Sequence, residues 1–483
     1  MPPVLAPLFP LLLALAVPSR SQTGDLTRFD PPSWAPVFAE LKGHLQALVR
    51  LDTSNPPGDE ILAARYLREM LGREGIAGEV FVSTGTRASL VARLKADGPA
   101  RGRPFLLMCH TDVVPAERER WSVDPFAGTE KDGFIWGRGT ADIKGMCAAE
   151  LMVVELLKRA RVPLSRDVIF FAQADEESGT PDSGVGGSDR HLAWFLREHG
   201  DAVDAEYGLN EGGHTLWRSG AIAAIHLQVA EKRYLDVKLI ARGTPGHSSL
   251  PRADNPVHAL ARALARLSVW RPPVEIHLVV LRFLQDGAAQ GTQERRELIA
   301  ALSGPGWEEA ARRLEELDPE TGALLHDTAA ATIVRGGYKA NVVPSRAEAV
   351  VNCRLMPGRD PERFVEELRR VVAEPGVEVS YEADPLPPIS AMPLDTPLHR
   401  AVEAAAAEVA PGAPVSPLLS AWSTDSQSLR ARGTIMYGLD PPLSAEDAGR
   451  AHGDDERISI DALNAYLRLL YRVTLRMTAR ERT

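Results

Sequence analysis

Two imidazoles and several carboxylates in this 483-residue chain sit where apolar runs end. The first is Leu107-Met108-Cys109-His110-Thr111-Asp112. The carboxyl ends of strands are where open α/β sheets bind ligands. Residues two apart on a strand share a face, so Asp112 can approach the His110 ring or an ion held by it. A carboxylate beside a ligating imidazole fixes its tautomer and raises its basicity. In Gly137-Arg138-Gly139-Thr140-Ala141-Asp142, the last residue stands where a loop meets a helix. Asp142 is there either a helix cap or a ligand. Asp175-Glu176-Glu177 closes an apolar run with three acids. Their repulsion calls for a cation or protons unless the loop is solvated. Asn210-Glu211-Gly212-Gly213 repeats the theme, and His452-Gly453-Asp454-Asp455-Glu456 places a second imidazole among acids. Two histidines with carboxylates at strand ends form a donor set for two divalent ions. Mixed nitrogen and oxygen ligation suits zinc, with cobalt or manganese possible. Two ions about 3.5–4 Å apart can share a hydroxide and polarise a carbonyl.

These residues need a frame. Phe105 to Cys109 and Val168 to Ala174 are continuous apolar runs, the pattern of strands buried on both faces. Helical spacing covers Trp34 to Leu51, Glu60 to Leu71 and Lys144 to Arg159. Strand, helix, strand in that order predicts an α/β core with mainly parallel strands. Beyond about residue 220 the pattern changes. Leu235, Val237, Leu239 and Ala241 alternate with Asp236 and Lys238, as in a strand with one wet face. Asn255-Pro256 opens a helix. A strand over Ala347 to Arg354 and a helix over Pro361 to Val372 complete a smaller α+β sandwich. The charged stretch 271–335 is extra, with helices at Glu294 to Leu302 and Trp307 to Leu317. From about 386 the chain returns to the α/β core and ends in an amphipathic helix from Asp461.

Taken together, the sequence resembles the co-catalytic zinc amidohydrolases and carboxypeptidases. That family includes carboxypeptidase S, aminoacylase-1, glutamate carboxypeptidase and succinyl-diaminopimelate desuccinylase. The resemblance rests on Asp52-Thr53-Ser54-Asn55-Pro56-Pro57-Gly58, His110-Thr111-Asp112, Gly137-Arg138-Gly139 through Asp142, and Asp175-Glu176-Glu177. It continues through Gly243-Thr244-Pro245-Gly246-His247-Ser248-Ser249, Lys339-Ala340-Asn341-Val342-Val343-Pro344 and His452. It implies a catalytic domain in two parts, 22–220 and 386–483, with a lid or dimerisation domain inserted at 221–385. It implies two zinc ions per chain, with Asp142 bridging, His110 paired with Glu211, and Glu177 with His452. Glu176 would be the general base, and Asp112 would orient His110. His247 would polarise the scissile carbonyl in the partner subunit of a homodimer. Asn341 and Arg354 would hold substrate, Arg354 at the free carboxylate through its planar guanidinium. A cis peptide is expected after Asp142. The nearest branch is that of carboxypeptidase S and the N-fatty-acyl-amino acid hydrolases. The expected reaction is cleavage of the amide before a C-terminal amino acid, in short peptides or N-acyl amino acids. The alternatives are an N-fatty-acyl-amino acid hydrolase/synthase or aminoacylase, and a non-catalytic metal-binding relative. The last is disfavoured by the intact Glu176. One departure is Trp422, which stands where relatives often carry glycine.

Composition narrows the classes further. Charged residues make up 25% and the apolar set 44%, which argues against general disorder. A net charge of −10 disfavours nucleic acid as the partner. Three cysteines give no disulfide framework and no Cys-x-x-Cys pair. Val4 to Val17 is apolar but would span only about 21 Å as a helix, against a bilayer core of about 30 Å. With small residues following, 1–21 reads as a secretory signal, despite an n-region without Lys or Arg. The expected mature protein is exported, periplasmic or secreted, without a membrane span.

Overall fold

The computed structural model describes residues 25–178, 191–382 and 386–480. The 1–21 signal assignment lies outside them. The centre of the fold is a nine-stranded sheet. Its heart is four neighbouring parallel strands, Val168–Gln173, Phe105–His110, Tyr207–Asn210 and Ile435–Gly438. Every residue of the first three is buried, as continuous apolar runs between covering helices require. Being parallel, they end at one edge. His110 lies opposite Gln173, and Asn210 opposite Gly438. The segments carrying His110, Glu176, Glu177 and Glu211 therefore leave the sheet side by side.

The helix Lys144–Arg159 packs behind these strands with all of its first fourteen residues buried. The turn before it is tight. Gly139 has φ +86°, and a Cβ there would approach Val113 to 2.6 Å. The peptide between Asp142 and Ile143 is cis, as the resemblance implies. A small three-stranded sheet then solves a long-range problem. Arg457–Ser459 pairs antiparallel with Phe134–Trp136. This lays the His452 loop against the Asp142 loop.

The second layer is a four-stranded antiparallel sheet in the order Thr328–Gly336, Arg346–Leu355, Arg233–Arg242, Val377–Tyr381. Helices Pro256–Val269 and Pro361–Val372 cover it around a separate apolar core. Leu235, Val237, Leu239 and Ala241 are buried while Lys238 is exposed, which follows the sequence alternation.

Two parts of the expected 221–385 insert lie elsewhere. Ala221–Glu231 is a strand of the large sheet, parallel to Val415–Ser420. Helices Leu278–Gly287, Gln293–Ala301 and Trp307–Leu317 bury Val280, Leu284, Ile299 and Leu314 in the large core. Their amphipathic faces fit either surface, so spacing alone did not say which they would cover. The cysteines also hold a surprise: Cys109 and Cys147 form a disulfide, and Cys353 is free and buried. None of the helices in the described residues is long and apolar enough to cross a membrane.

Candidate metal centre

Asp142 lies between the two imidazoles. Its Oδ1 is 3.2 Å from His110 Nε2, and its Oδ2 is 3.0 Å from His452 Nε2. Glu211 Oε2 stands 3.6 Å from His110 Nε2, and Glu177 Oε1 stands 3.0 Å from His452 Nε2. Two donor groups result, one around each histidine, and Asp142 belongs to both. Glu176 joins His110 and Glu211 in a compact acid–imidazole group. Sequence reasoning named every one of these residues, and the fold brings all of them together.

Asp112 has more partners than the sequence suggested. It is fully buried. Its Oδ1 accepts from the Glu176 N–H at 3.1 Å and its Oδ2 from the Glu177 N–H at 2.9 Å. Asn55 Nδ2 donates to Oδ2 at 2.8 Å. The carboxylate is 3.5 Å from His110 Nδ1, whereas the Asp112 carbonyl is 3.0 Å away. The carbonyl is therefore the closer partner and orients the ring, and the carboxylate pins the Glu176–Glu177 turn. That turn starts at Asp175, whose left-handed φ of 72° bends the chain out of the strand. Asp175 accepts from Arg87, from Asn55 Nδ2 at 3.1 Å and from the His191 N–H at 3.0 Å.

Sequence reasoning passed over Glu456, which is buried and binds the Asp142 loop at four points. Its Oε2 accepts from Arg138 at 2.6 Å and the Gly139 N–H at 3.0 Å. Its Oε1 accepts from the N–H groups of Ala141 at 2.8 Å and Asp142 at 3.1 Å. In sequence it ends an acid run, where nothing separates a buried carboxylate from solvated ones. Asp440 does a similar job for Glu211, accepting from the Gly212 N–H at 2.8 Å. Glu456→Gln should keep the fold, since the shape is unchanged. Its amide nitrogen would then face N–H donors, and metal retention should weaken about 10–100-fold, the scale of losing an outer partner. Chelator competition measures this, and unchanged retention would remove the positioning role.

The electrostatics match a cation site. Burial raises the Glu177 and Glu211 carboxyls, and the neighbouring acids add to this. Glu176 is held well above the carboxylate range by burial, then by Glu211 and Asp425. Burial works against a charged His110, but Glu211, Asp112 and Asp142 hold its imidazole well above the ordinary value. Hydrogen bonds that the imidazole donates to Asp142 and Glu177 push His452 up to about 11. Acids crowded around two imidazoles, His110 buried and His452 exposed, are the donor chemistry that divalent ions satisfy.

The remaining predicted residues lie on the small domain. Gly246-His247 pairs antiparallel with Val342-Val343, and the Ser248 N–H donates to the Asn341 carbonyl at 3.1 Å. His247 and Asn341 are thus neighbours, and both are exposed. His247 Nδ1 bonds Ser249 Oγ at 2.7 Å. Neither shares a hydrogen bond or ion pair with the metal centre among the described residues. Arg354 lies over the Tyr234 ring, 4.7 Å from its centroid and 3.4 Å from Ser423 Oγ. Trp422, beside Ser423, is 47% exposed.

A model of peptidase family M20/M25/M40 matches residues 106–476. The chain belongs to that family. It is a metal-dependent amidohydrolase on a mixed α/β fold. A human relative, "N-fatty-acyl-amino acid synthase/hydrolase PM20D1", is 34% identical over 386 residues, 76% of this chain and 73% of its own. An M20 family metallo-carboxypeptidase, Sso-CP2 from Sulfolobus solfataricus, has a solved structure with TM-score 0.65 and 21% identity. The match covers 90% of this chain and 99% of that one. YxeP from Bacillus subtilis, described as a dinuclear metal binding peptidase of the M20 family, gives TM-score 0.59 and 15% identity over 91% and 98%.

Proposed function

We propose that this M20 enzyme hydrolyses the amide before a C-terminal amino acid, in N-acyl amino acids or short peptides. The observation that carries the reading is the Asp142 carboxylate facing His110 with one oxygen and His452 with the other. In this reading His110, Glu211 and Asp142 hold one divalent ion, and His452, Glu177 and Asp142 hold the second; zinc is the metal we assign. When bound, the ions supply Lewis acidity that acidifies water and polarises the scissile carbonyl.

The chain's own groups do the rest. Glu176 takes a proton from the attacking water and returns it to the departing nitrogen. Asp112 fixes Glu176 and Glu177 through their backbone N–H groups. Arg354 receives the substrate carboxylate. It is half-buried, and among the described residues it has no ion-pair partner. His247 donates to the oxygen that becomes negative, a role typically contributing about 3–4 kcal/mol when preorganised. We assign His247 and Asn341 to the partner's site in a homodimer. Their exposure on the small domain supports this. Export is the matching cellular reading, supported by the apolar run of Val4 to Val17 and by the disulfide.

The N-acyl arm is favoured by the human relative, whose name specifies fatty-acyl amino acids. A panel of dipeptides and N-acyl amino acids of graded chain length tests it. Rising kcat/KM with acyl length supports the acyl reading, and a preference for dipeptides supports the peptide arm. No cleavage of either class by metal-loaded protein would contradict the proposal. Action in trans is checked by mixing His247→Ala with Glu176→Gln. Subunit exchange should create one intact site per heterodimer and recover activity. Proven exchange without recovery would place His247 outside the partner's site.

A further inference from the structure

We infer that the Cys109–Cys147 disulfide is a positioning cross-link for the metal centre, so that only the oxidised enzyme holds its ions at full affinity. This rests on the metal-centre reading above. Cys109 immediately precedes His110 at the end of the strand Phe105–His110. Cys147 is the fourth residue of the helix Lys144–Arg159, which starts two residues after Asp142, with Ile143 as its cap. The bond therefore joins the element that carries His110 to the element that follows Asp142. It does so within one residue of the first ligand and five of the second. The Cα atoms are 5.5 Å apart, inside the usual range for a bridge.

The local contacts direct this link at the ligands. Both cysteines are fully buried. Cys147 Sγ lies 3.0 Å from the carbonyl oxygen of His110, and the Cys147 N–H bonds the carbonyl of Ile143 at 3.2 Å. One cysteine thus touches the backbone of His110 and of the residue after Asp142. Without the bond, strand and helix are held there by packing and by the polar contact of Cys147 Sγ with the His110 carbonyl, and packed surfaces can slide by a few tenths of an ångström. Metal–ligand distances tolerate about 0.2 Å. Glu456 fixes the Asp142 loop from the opposite side, so the disulfide and Glu456 together leave Asp142 little freedom relative to His110.

Forming the bond removes two electrons and two protons from the two thiols. They pass to a disulfide oxidant, which leaves as two thiols. An exported protein meets such oxidants, and a cytosolic one meets a reducing pool.

The test starts with a thiol count on protein made in an oxidising compartment. Unfolded without reductant it should show one thiol per chain, Cys353, and three after reduction. Three before reduction would overturn the inference. Metal retention against graded chelator is then compared between oxidised protein and the same sequence made reduced. The reduced form should hold metal about tenfold less tightly and regain retention on oxidation. The Cys109→Ala/Cys147→Ala protein should match the reduced form, and Cys353→Ala should match the oxidised one. Should the double variant misfold, the reduced wild type gives the same reading. Equal retention by oxidised and reduced protein, with circular dichroism unchanged, would refute a positioning role. An oxidised wild type that binds no metal would instead refute the metal-centre reading and this inference with it.

Discussion

Glu176→Gln should fold normally, bind both metal ions and turn over about 10²–10⁴-fold more slowly, the usual scale for losing a general base. The substitution keeps the shape of the side chain, and the backbone N–H that bonds Asp112 is untouched. Glutamine cannot accept and return a proton at neutral pH, so the loss should fall on kcat rather than KM. Glu176 is separated from the ligand Glu177 by a single bond of sequence, yet the two have different surroundings. Glu177 is 3.0 Å from His452, whereas Glu176 lies with His110 and Glu211. Steady-state kinetics on protein of measured metal content decides the matter. Near-normal turnover in the fully loaded variant would assign the base to another residue.

Asp142→Asn should have a larger effect on metal than any other single change. Each of its oxygens faces a different imidazole, so replacing one with an amide nitrogen puts a donor where a cation belongs. Retention of both ions should fall by more than the roughly 10–100-fold that loss of an outer partner costs. His452→Ala is the contrast: it should empty one position and leave the His110 position largely filled. Metal content after dialysis distinguishes the two patterns. Unchanged retention of both ions by Asp142→Asn would show that Asp142 does not bridge.

Much of this centre was legible in the sequence because its ligands terminate strands with simple signatures. Phe105–His110 and Val168–Gln173 are apolar from end to end, and polar chemistry begins abruptly at their carboxyl ends. Each candidate had an ordinary reading alone, Asp142 as a cap and Asp175-Glu176-Glu177 as a wet loop. Their order along the chain, and the family resemblance it carried, removed that ambiguity. What stayed hidden depends on pairings between distant segments. The short strand Arg457–Ser459 finds Phe134–Trp136 across more than three hundred residues, and only that pairing buries Glu456 against the Asp142 loop. Cys109 and Cys147 are 38 residues apart with no spacing motif, and they meet because the helix Lys144–Arg159 packs behind the strand Phe105–His110. The helices of 278–317 are amphipathic whichever domain they cover, so their burial in the large core follows from tertiary packing, not from periodicity.

The most direct measurement is the metal content of purified, active enzyme set against its activity. Two divalent ions per chain should be present by elemental analysis, and both should leave with activity on chelation. Activity should return as the second ion is restored. Full activity with one ion per chain, or with none, would contradict a centre built on Asp142 between His110 and His452.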